Sequence, residues 1–237
     1  MRPDRIETAE EIVGRLAEPM LELRFLLERG YRRPHALGFV SERHQLAVAD
    51  RNVLERVIFA SGEGMERAQR LVGLDVLQGA EVVVDGYNVV IGVECVLAGR
   101  PTFLCDDGLV RDVAAVRGRH APSPETREAV RRICHLLGEH RAASATFLFD
   151  AQVSRSGELC GICRQELGRA GLRGEAETDR HVDRRLKAAG ESAVICSSDR
   201  AVVDAARRVF DVVAALVTAD GVIASPPSAL RSWALPR

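Results

Sequence analysis

Glu81-Val82-Val83-Val84-Asp85-Gly86-Tyr87-Asn88 is the stretch whose reading decides the fold. A short, uninterrupted apolar run belongs to a strand covered on both faces, where alternation with polar residues is lost. The same form recurs downstream. Thr102-Phe103-Leu104-Cys105 runs into Asp106-Asp107, Thr146-Phe147-Leu148-Phe149 into Asp150, and Ala193-Val194-Ile195-Cys196 into Ser197-Ser198-Asp199, with residues 209–213 as a fifth candidate. Helical stretches lie between them. The clearest opens at Ser123-Pro124-Glu125, an N-cap followed by proline in the first helical position, and carries Val130, Ile133, Cys134 and Leu137 on one face. Short apolar strands alternating with helices predict an α/β domain over residues 78–237, with a mainly parallel sheet between two helical layers.

Upstream, the pattern is helical and no strand pattern of quality occurs. Thr8 and Glu11 form a Thr-x-x-Glu capping box ahead of Ile12, Val13 and Leu16. Pro19 interrupts, and a second apolar segment over residues 20–27 ends at Gly30. Ser41 is the expected cap of a helix running toward residue 60, and a further short helix is expected over residues 65–72. The division is therefore a helical domain over residues 1–77 and an α/β domain over 78–237. Between residues 24 and 56 stand seven arginines and two histidines against four acids. Such an excess suits contact with a phosphate backbone. A solvated helix surface is the ordinary alternative.

Composition narrows the classes. The chain has 237 residues, of which 46% are hydrophobic and 28% charged, which is globular rather than disordered. No apolar run approaches the length of a membrane span, and the first residues mix both charge signs without an apolar core, so neither a membrane protein nor a secretory signal is expected. The net charge of −1 excludes a chain-wide basic footprint. Lys187 is the single lysine, so arginine supplies the remaining basic residues, and its planar fork suits phosphates. Six cysteines are scattered through apolar or helical contexts, as buried thiols in a reducing, cytoplasmic setting would be. Cys160-Gly-Ile-Cys163 has no second pair at zinc-site spacing and reads as part of a helix face with Leu159, Ile162 and Leu167.

Four candidate strands end in aspartate: Asp85, Asp106/Asp107, Asp150 and Asp199. Asp183 adds a carboxylate on a helix. The carboxyl ends of parallel strands gather at one edge, where such folds place ligands. Massed carboxylates repel, and a hard divalent cation such as Mg²⁺ or Mn²⁺ neutralises them with the oxygen ligands it prefers. Asp after a strand is also an ordinary turn residue or helix cap. Its recurrence on successive strands favours the metal.

These residues resemble a family. Val84-Asp85-Gly86-Tyr87-Asn88-Val89 looks like the opening strand motif of the NYN branch of the PIN-like nucleases. Phe147-Leu148-Phe149-Asp150-Ala151 looks like the central F-D-A strand of its YacP-like members. Glu177-Thr178 followed by Val182-Asp183 is similar to the E-T-x-D segment opening a helix, and Cys196-Ser197-Ser198-Asp199 to the T-S-D strand end. The four stand in the family's order over about residues 80–215. The whole chain further resembles an uncharacterised bacterial and archaeal family that joins a short helical domain, with a segment like Arg29-Gly30-Tyr31, to a PIN-like domain. The resemblance implies a Rossmann-like three-layer nuclease domain, with Asp85, Asp150, Asp183 and Asp199 as its acidic centre and Asn88 and Ser198 as hydrogen-bonding support. Two departures are visible. Residues 94–117 have no clear counterpart, and the E-T-x-D segment is longer, so Asp179 competes with Asp183.

The expected function is metal-dependent ribonuclease activity. Mg²⁺ or Mn²⁺ would be held by Asp85, Asp150 and Asp199, with Asp183 and Asp107 binding directly or through water. Arg111, Arg155 or Arg184 would clamp a phosphate oxygen, Asp112 would flank Arg111, and Ser154-Arg155-Ser156 would present a helix N-terminus capped by Ser156. RNA is the substrate the resemblance implies, with DNA open. Alternatives on a similar sheet fare worse. A dehalogenase-like phosphatase wants an Asp at position 87, which is Tyr87. A receiver domain wants a strand-end lysine, and a dinucleotide-binding enzyme wants G-x-G-x-x-G after the first strand. A non-catalytic nucleic-acid-binding or toxin-like regulatory protein remains the other class, with the helical domain serving as a homodimer interface, a regulatory contact or an RNA-docking arm.

Overall fold

A computed structural model describes residues 7–113, 120–217 and 223–226. The chain divides into two compact units, the first containing residues 7–69, 99–113 and 223–226 and the second 70–98 and 120–217 among the described residues.

The first unit opens with five helices: α1 (Ala9–Arg15), α2 (Ala17–Glu28), α3 (Arg33–Arg43), α4 (Val48–Val57) and α5 (Ser61–Ala68). The capping box forms as expected, Glu11 N–H donating to Thr8 Oγ1 and Thr8 N–H to Glu11 Oε2. Pro19 is no break. It sits in the first turn of α2, where a missing N–H costs nothing. Ser41 is not an N-cap. It lies inside α3 and donates to the Leu37 carbonyl, and the next helix starts only at Val48. The helices close around Met20, Leu23, Leu37, Val40, Leu54 and Ile58, all buried in one cluster.

Residues 102–112 depart from the expected sheet. β2 (Thr102–Leu104), β3 (Val110–Asp112) and β7 (Ile223–Ala224) form a separate three-stranded sheet in the order β3-β2-β7. β2 pairs antiparallel with β3 and parallel with β7. Phe103 and Cys105 bury into the helical cluster, so the apolar run serves this unit's core. Gly108, at φ +81, supplies the left-handed turn residue that folds β3 back on β2. Residues 99–113 thus belong with the helices, whereas the sequence reading grouped them with everything after residue 77. Residues 114–117 of the stretch without counterpart lie outside the described residues.

The second unit holds a four-stranded parallel sheet in the order β5-β4-β1-β6, formed by β1 (Glu81–Asp85), β4 (Ser144–Asp150), β5 (Gly174–Asp179) and β6 (Val194–Cys196). Helices α6 (Gly86–Leu97), α7 (Pro124–Glu139), α8 (Ser156–Arg169), α9 (Val182–Ala189), α10 (Arg200–Val203) and α11 (Val212–Leu216) accompany it. This is a mixed α/β unit consistent with a three-layer α/β/α fold preceded by a short all-helical region. Ser123 caps α7 with Pro124 next, and Val130, Ile133, Cys134 and Leu137 are fully buried, as the pattern predicts. Residues 209–213 are not a strand. Val209 makes isolated bridges to Leu71 and Ile195, and α11 follows directly. Glu177 and Thr178 do not open a helix. They lie on the edge strand β5, whose single buried residue is Ala176. All six cysteines are free and buried, Cys160 and Cys163 among them on α8. No helix among the described residues is long and apolar enough to cross a membrane.

From β1 the sheet grows in one direction through β4 and β5, and the chain then returns to the other side of β1 as β6. The carboxyl ends of β1 and β6 therefore flank the switch point, where open α/β sheets leave a crevice.

Candidate functional site

At that crevice Asp85 ends β1 and Asp199 follows β6 as the N-cap of α10. Ser197 Oγ donates to Asp85 Oδ2 at 2.8 Å and accepts the Asp199 N–H at 3.1 Å, so one buried hydroxyl ties the two acidic positions together. Asn88, in the first turn of α6, accepts both the N–H and the hydroxyl of Ser198 on Oδ1, at 2.8 and 3.0 Å. This anchors the β6–α10 turn to α6. Gly86 lets the turn form, because any Cβ there would collide with the Phe149 ring.

The Asp85 carboxyl is pushed up to about 7. Burial is the main cause, and the negative charges of Asp199 and Asp183 add to it, while the Ser197 hydroxyl and the Asn88 N–H pull the other way. Asp183 acts from the first turn of α9, a helix that packs on β1 and β4. The charges of two exposed carboxylates, one on α9 and one at the β6–α10 junction, thus reach the end of β1. Among the described residues, none of Asp85, Asp183 and Asp199 is in an ion pair with a basic side chain.

Asp179, the rival of Asp183, is otherwise engaged. It ends β5, accepts the His181 N–H, pairs with Arg185 at 3.4 Å, and is held below the usual carboxylate range chiefly by the His181 N–H. Asp150 ends β4, where Leu148 pairs with Asp85, so it lies two residues beyond Asp85 on the neighbouring strand. Its Oδ1 accepts the Gln152 N–H, and its charge bears on Tyr87.

The remaining expected site residues have other work. Asp107 is fully buried and receives both terminal nitrogens of Arg111, at 2.7 and 2.8 Å, with Arg67 at 3.7 Å. Asp106 is held twice by Arg24 and accepts the Phe59 N–H. Asp112 lies in β3, buried, with Arg56 at 3.9 Å. The expectation that Asp106 and Asp107 share an edge with Asp85 is therefore corrected: they belong to another sheet in another unit. Arg111 neutralises Asp107 rather than facing an open site. Ser156 is not a cap. Arg155 occupies the N-cap of α8 in a left-handed conformation and pairs with Glu158, while Ser156 is the first helical residue and is buried. Ser154 directly precedes them.

Sequence reasoning left out Ser197, whose partner is remote in sequence. It also left out a group around Tyr87. His120 Nε2 meets the Glu94 carboxylate at 3.1 Å, and the His120 ring stands edge-on to Tyr87, which also packs edge-on against Phe149. Tyr87 Oη and His120 Nδ1 are buried and make no hydrogen bond among the described residues. Burial pushes the Tyr87 hydroxyl up to about 12.

The donor set around Asp85 is all oxygen, short of positive charge, and so chemically suited to a hard divalent cation. Among the described residues no group of three or more His, Cys, Asp or Glu side chains stands ready to hold a metal ion. Without a cation, like charges have no reason to converge further. Asp107, fully neutralised, does not fit as a ligand.

Residues 15–70 are similar to the family described as "Protein of unknown function (DUF434)". The chain is 29% identical over 182 residues to "Uncharacterized protein MJ0935" of Methanocaldococcus jannaschii, a match covering 77% of this chain and 86% of that protein. No solved structure matches. Residues 74–215, which span the parallel sheet, its helices and the β2–β3 hairpin, match the family described as "Domain of unknown function (DUF5616)", and the chain belongs to that family.

Proposed function

We propose that the chain is a Mg²⁺- or Mn²⁺-dependent ribonuclease whose α/β unit is a PIN-like domain of the NYN branch. The observation that carries this reading is the Asp85 carboxyl at the switch point of a parallel sheet, which feels the charges of Asp183 and Asp199 from two other elements and pairs with no basic side chain among the described residues. The ordered DGYN-like, F-D-A-like and S-S-D strand ends support it.

Asp85, Asp183 and Asp199 would hold the ion, with Asp150 reaching it from the neighbouring strand directly or through water. The ion, when bound, supplies Lewis-acid polarisation of a phosphoryl oxygen and lowers the pKa of bound water. The chain's own groups do the positioning. Ser197 fixes the Asp85 carboxylate, and Asn88 fixes the turn that carries Asp199. Arg184, exposed and next to Asp183 in sequence, would meet a non-bridging phosphate oxygen.

The test is cleavage of an end-labelled single-stranded RNA in Mn²⁺ and in EDTA. Wild type should cleave only with the metal. Asp85→Asn and Asp199→Asn should each lower the rate by about 10²-fold or more, with far-ultraviolet circular dichroism unchanged. Cleavage that persists in EDTA, or in both folded variants, would overturn the reading.

A further inference from the structure

Aromatic side chains are scarce here, and among the described residues those exposed are concentrated in one place. Phe25, Tyr31 and Phe39 are 51%, 57% and 54% exposed, and all lie on α2, α3 or the turn between them. Phe59, Phe103, Phe147, Phe149 and Phe210 are buried, and Tyr87 is half-buried. Three exposed aromatic rings within one helical hairpin have a cost in solubility and no packing return.

The charge over the turn and most of α3 is one-sided. Residues 29–41 carry Arg29, Arg32, Arg33 and His35 and no carboxylate, in a chain whose net charge is −1. Arg33 is used internally: it donates to the Ile58 carbonyl, lies over the Phe59 ring and pairs with Glu63. Arg29 and Arg32 are exposed. The Arg29 guanidinium lies 3.4 Å from the centre of the Phe25 ring. Stacked in this way it leaves a flat, cationic outer face. Of the acids nearest in sequence, Glu28 accepts from the Ser61 N–H and hydroxyl and Glu22 pairs with Arg43 and His44, while Glu42 is exposed one turn after Phe39.

We propose that the α2–α3 hairpin is a docking surface for single-stranded RNA, in which unpaired bases stack on Phe25–Arg29, Tyr31 and Phe39 and the phosphates lie against Arg29 and Arg32. Stacking on aromatic rings and guanidinium planes, combined with arginine contacts to the backbone, is how single strands are held without sequence readout. A duplex hides its base faces and offers this surface only phosphates. A protein partner would bury the same rings, but the basic excess over residues 29–41 favours a polyanion. The proposal takes RNA as the ligand class from the proposed function and adds a site remote in sequence from the acidic centre.

The experiment is fluorescence anisotropy of a labelled single-stranded oligouridine with the full-length protein in EDTA, where binding is read without cleavage. Phe25→Ala and Phe39→Ala should each weaken binding about tenfold, in line with the loss of one base stack. Arg32→Ala should reduce the slope of log affinity against log salt by about 0.7, the value for removing one arginine–phosphate ion pair to a single strand. The positions are exposed, so melting temperatures should hold. A duplex of the same length should bind more weakly and be indifferent to Phe25→Ala. Wild-type affinity and salt slope in all three variants would overturn the proposal. So would a dimer that Phe25→Ala and Phe39→Ala dissociate without any effect on RNA, which would make the face a self-association surface. Loss of RNA binding in these variants with no cleavage by wild type in Mn²⁺ would sink the nuclease reading alone. Metal-dependent cleavage with unaltered binding in the variants would sink the docking surface alone.

Discussion

The carboxyl end of β1 and the turn after β2 both run from an apolar strand into aspartate, and their carboxylates keep opposite company. In the β2–β3 hairpin, Asp107 is grasped by both terminal nitrogens of Arg111 and Asp106 by Arg24, and the Arg33, Arg67 and Arg111 guanidiniums surround the Phe59 ring. Every negative charge there has a positive neighbour. At the end of β1, Asp85 has a hydroxyl, a backbone N–H and two further carboxylates. The first arrangement is complete and closes a core. The second is incomplete, and the deficit is one a divalent cation would fill. A strand-end acid by itself does not mark a functional site; what sets Asp85 apart from Asp106 and Asp107 is that no basic side chain pairs with it among the described residues.

Breaking the complete arrangement should have the largest effect. Arg111→Ala strips the buried Asp107 carboxylate of both its close hydrogen bonds and leaves it only Arg67, at 3.7 Å, a change that costs about 3 kcal/mol or more. Urea denaturation should show this loss. A stable Arg111→Ala protein would mean that the hairpin tolerates an open charge and that the contrast between the two regions is false.

The incomplete arrangement should respond in the opposite sense. With a carboxyl raised from 3.8 to about 7, the folded state holds a proton that the unfolded chain has already released. Stability therefore falls as pH rises through that window, and the loss is complete above pH 7. In metal-free protein, Asp85→Asn should stabilise at pH 8 by at most about 4 kcal/mol, less in proportion to solvent screening at a partly exposed residue, and should not stabilise near pH 4. Melting curves at the two pH values read this directly. A variant less stable than wild type at pH 8 would show that Asp85 is compensated after all.

Ser197→Ala is a finer probe of the same edge. It removes the hydroxyl that lowers the Asp85 pKa, so the midpoint of the pH-dependent loss should move upward. The stability change should be about 1–2 kcal/mol, for the hydrogen bonds the hydroxyl makes with Asp85 and the Asp199 N–H. An unmoved midpoint would detach Ser197 from Asp85. Tyr87→Phe should have the smallest effect. It deletes a buried hydroxyl without a partner among the described residues, so stability should change by less than about 0.5 kcal/mol or rise. A clear loss in the melting curve would show that the hydroxyl has a partner.

Much of this contrast was legible in sequence, and what was not has physical causes. β1, β4 and β6 announce themselves because strands covered on both faces are continuously apolar. β2 carries the same signal, yet its partner strands are chosen by where Phe103 and Cys105 find a core, a tertiary matter that three residues do not encode. β5 is the reverse. Gly174-Glu175-Ala176-Glu177-Thr178-Asp179 is polar because it is an edge strand with one buried position, so nothing in it reads as sheet. Asp85 and Asp199 stand out because strand ends gather at one edge. The choice between Asp179 and Asp183 rested on where α9 begins, and a helix boundary is set within a few residues by contacts absent from the sequence pattern. Ser197, Tyr87 and His120 gain their place from residues far along the chain. The bidentate Asp107–Arg111 pair spans four residues across a turn, a spacing that suits a catalytic pair as well as a structural one until burial is known.

The account turns on whether the Asp85 edge takes a divalent cation, and calorimetric titration of Mn²⁺ at pH 7 measures that most directly. Wild type should bind Mn²⁺ and release about half a proton, since a carboxyl with a pKa of about 7 must deprotonate to coordinate. The release appears as a dependence of the binding heat on buffer ionisation enthalpy. Asp85→Asn should weaken binding at least about tenfold and abolish the proton release. Wild-type affinity for Mn²⁺ in a folded Asp85→Asn protein, or binding without proton release in wild type, would contradict the account.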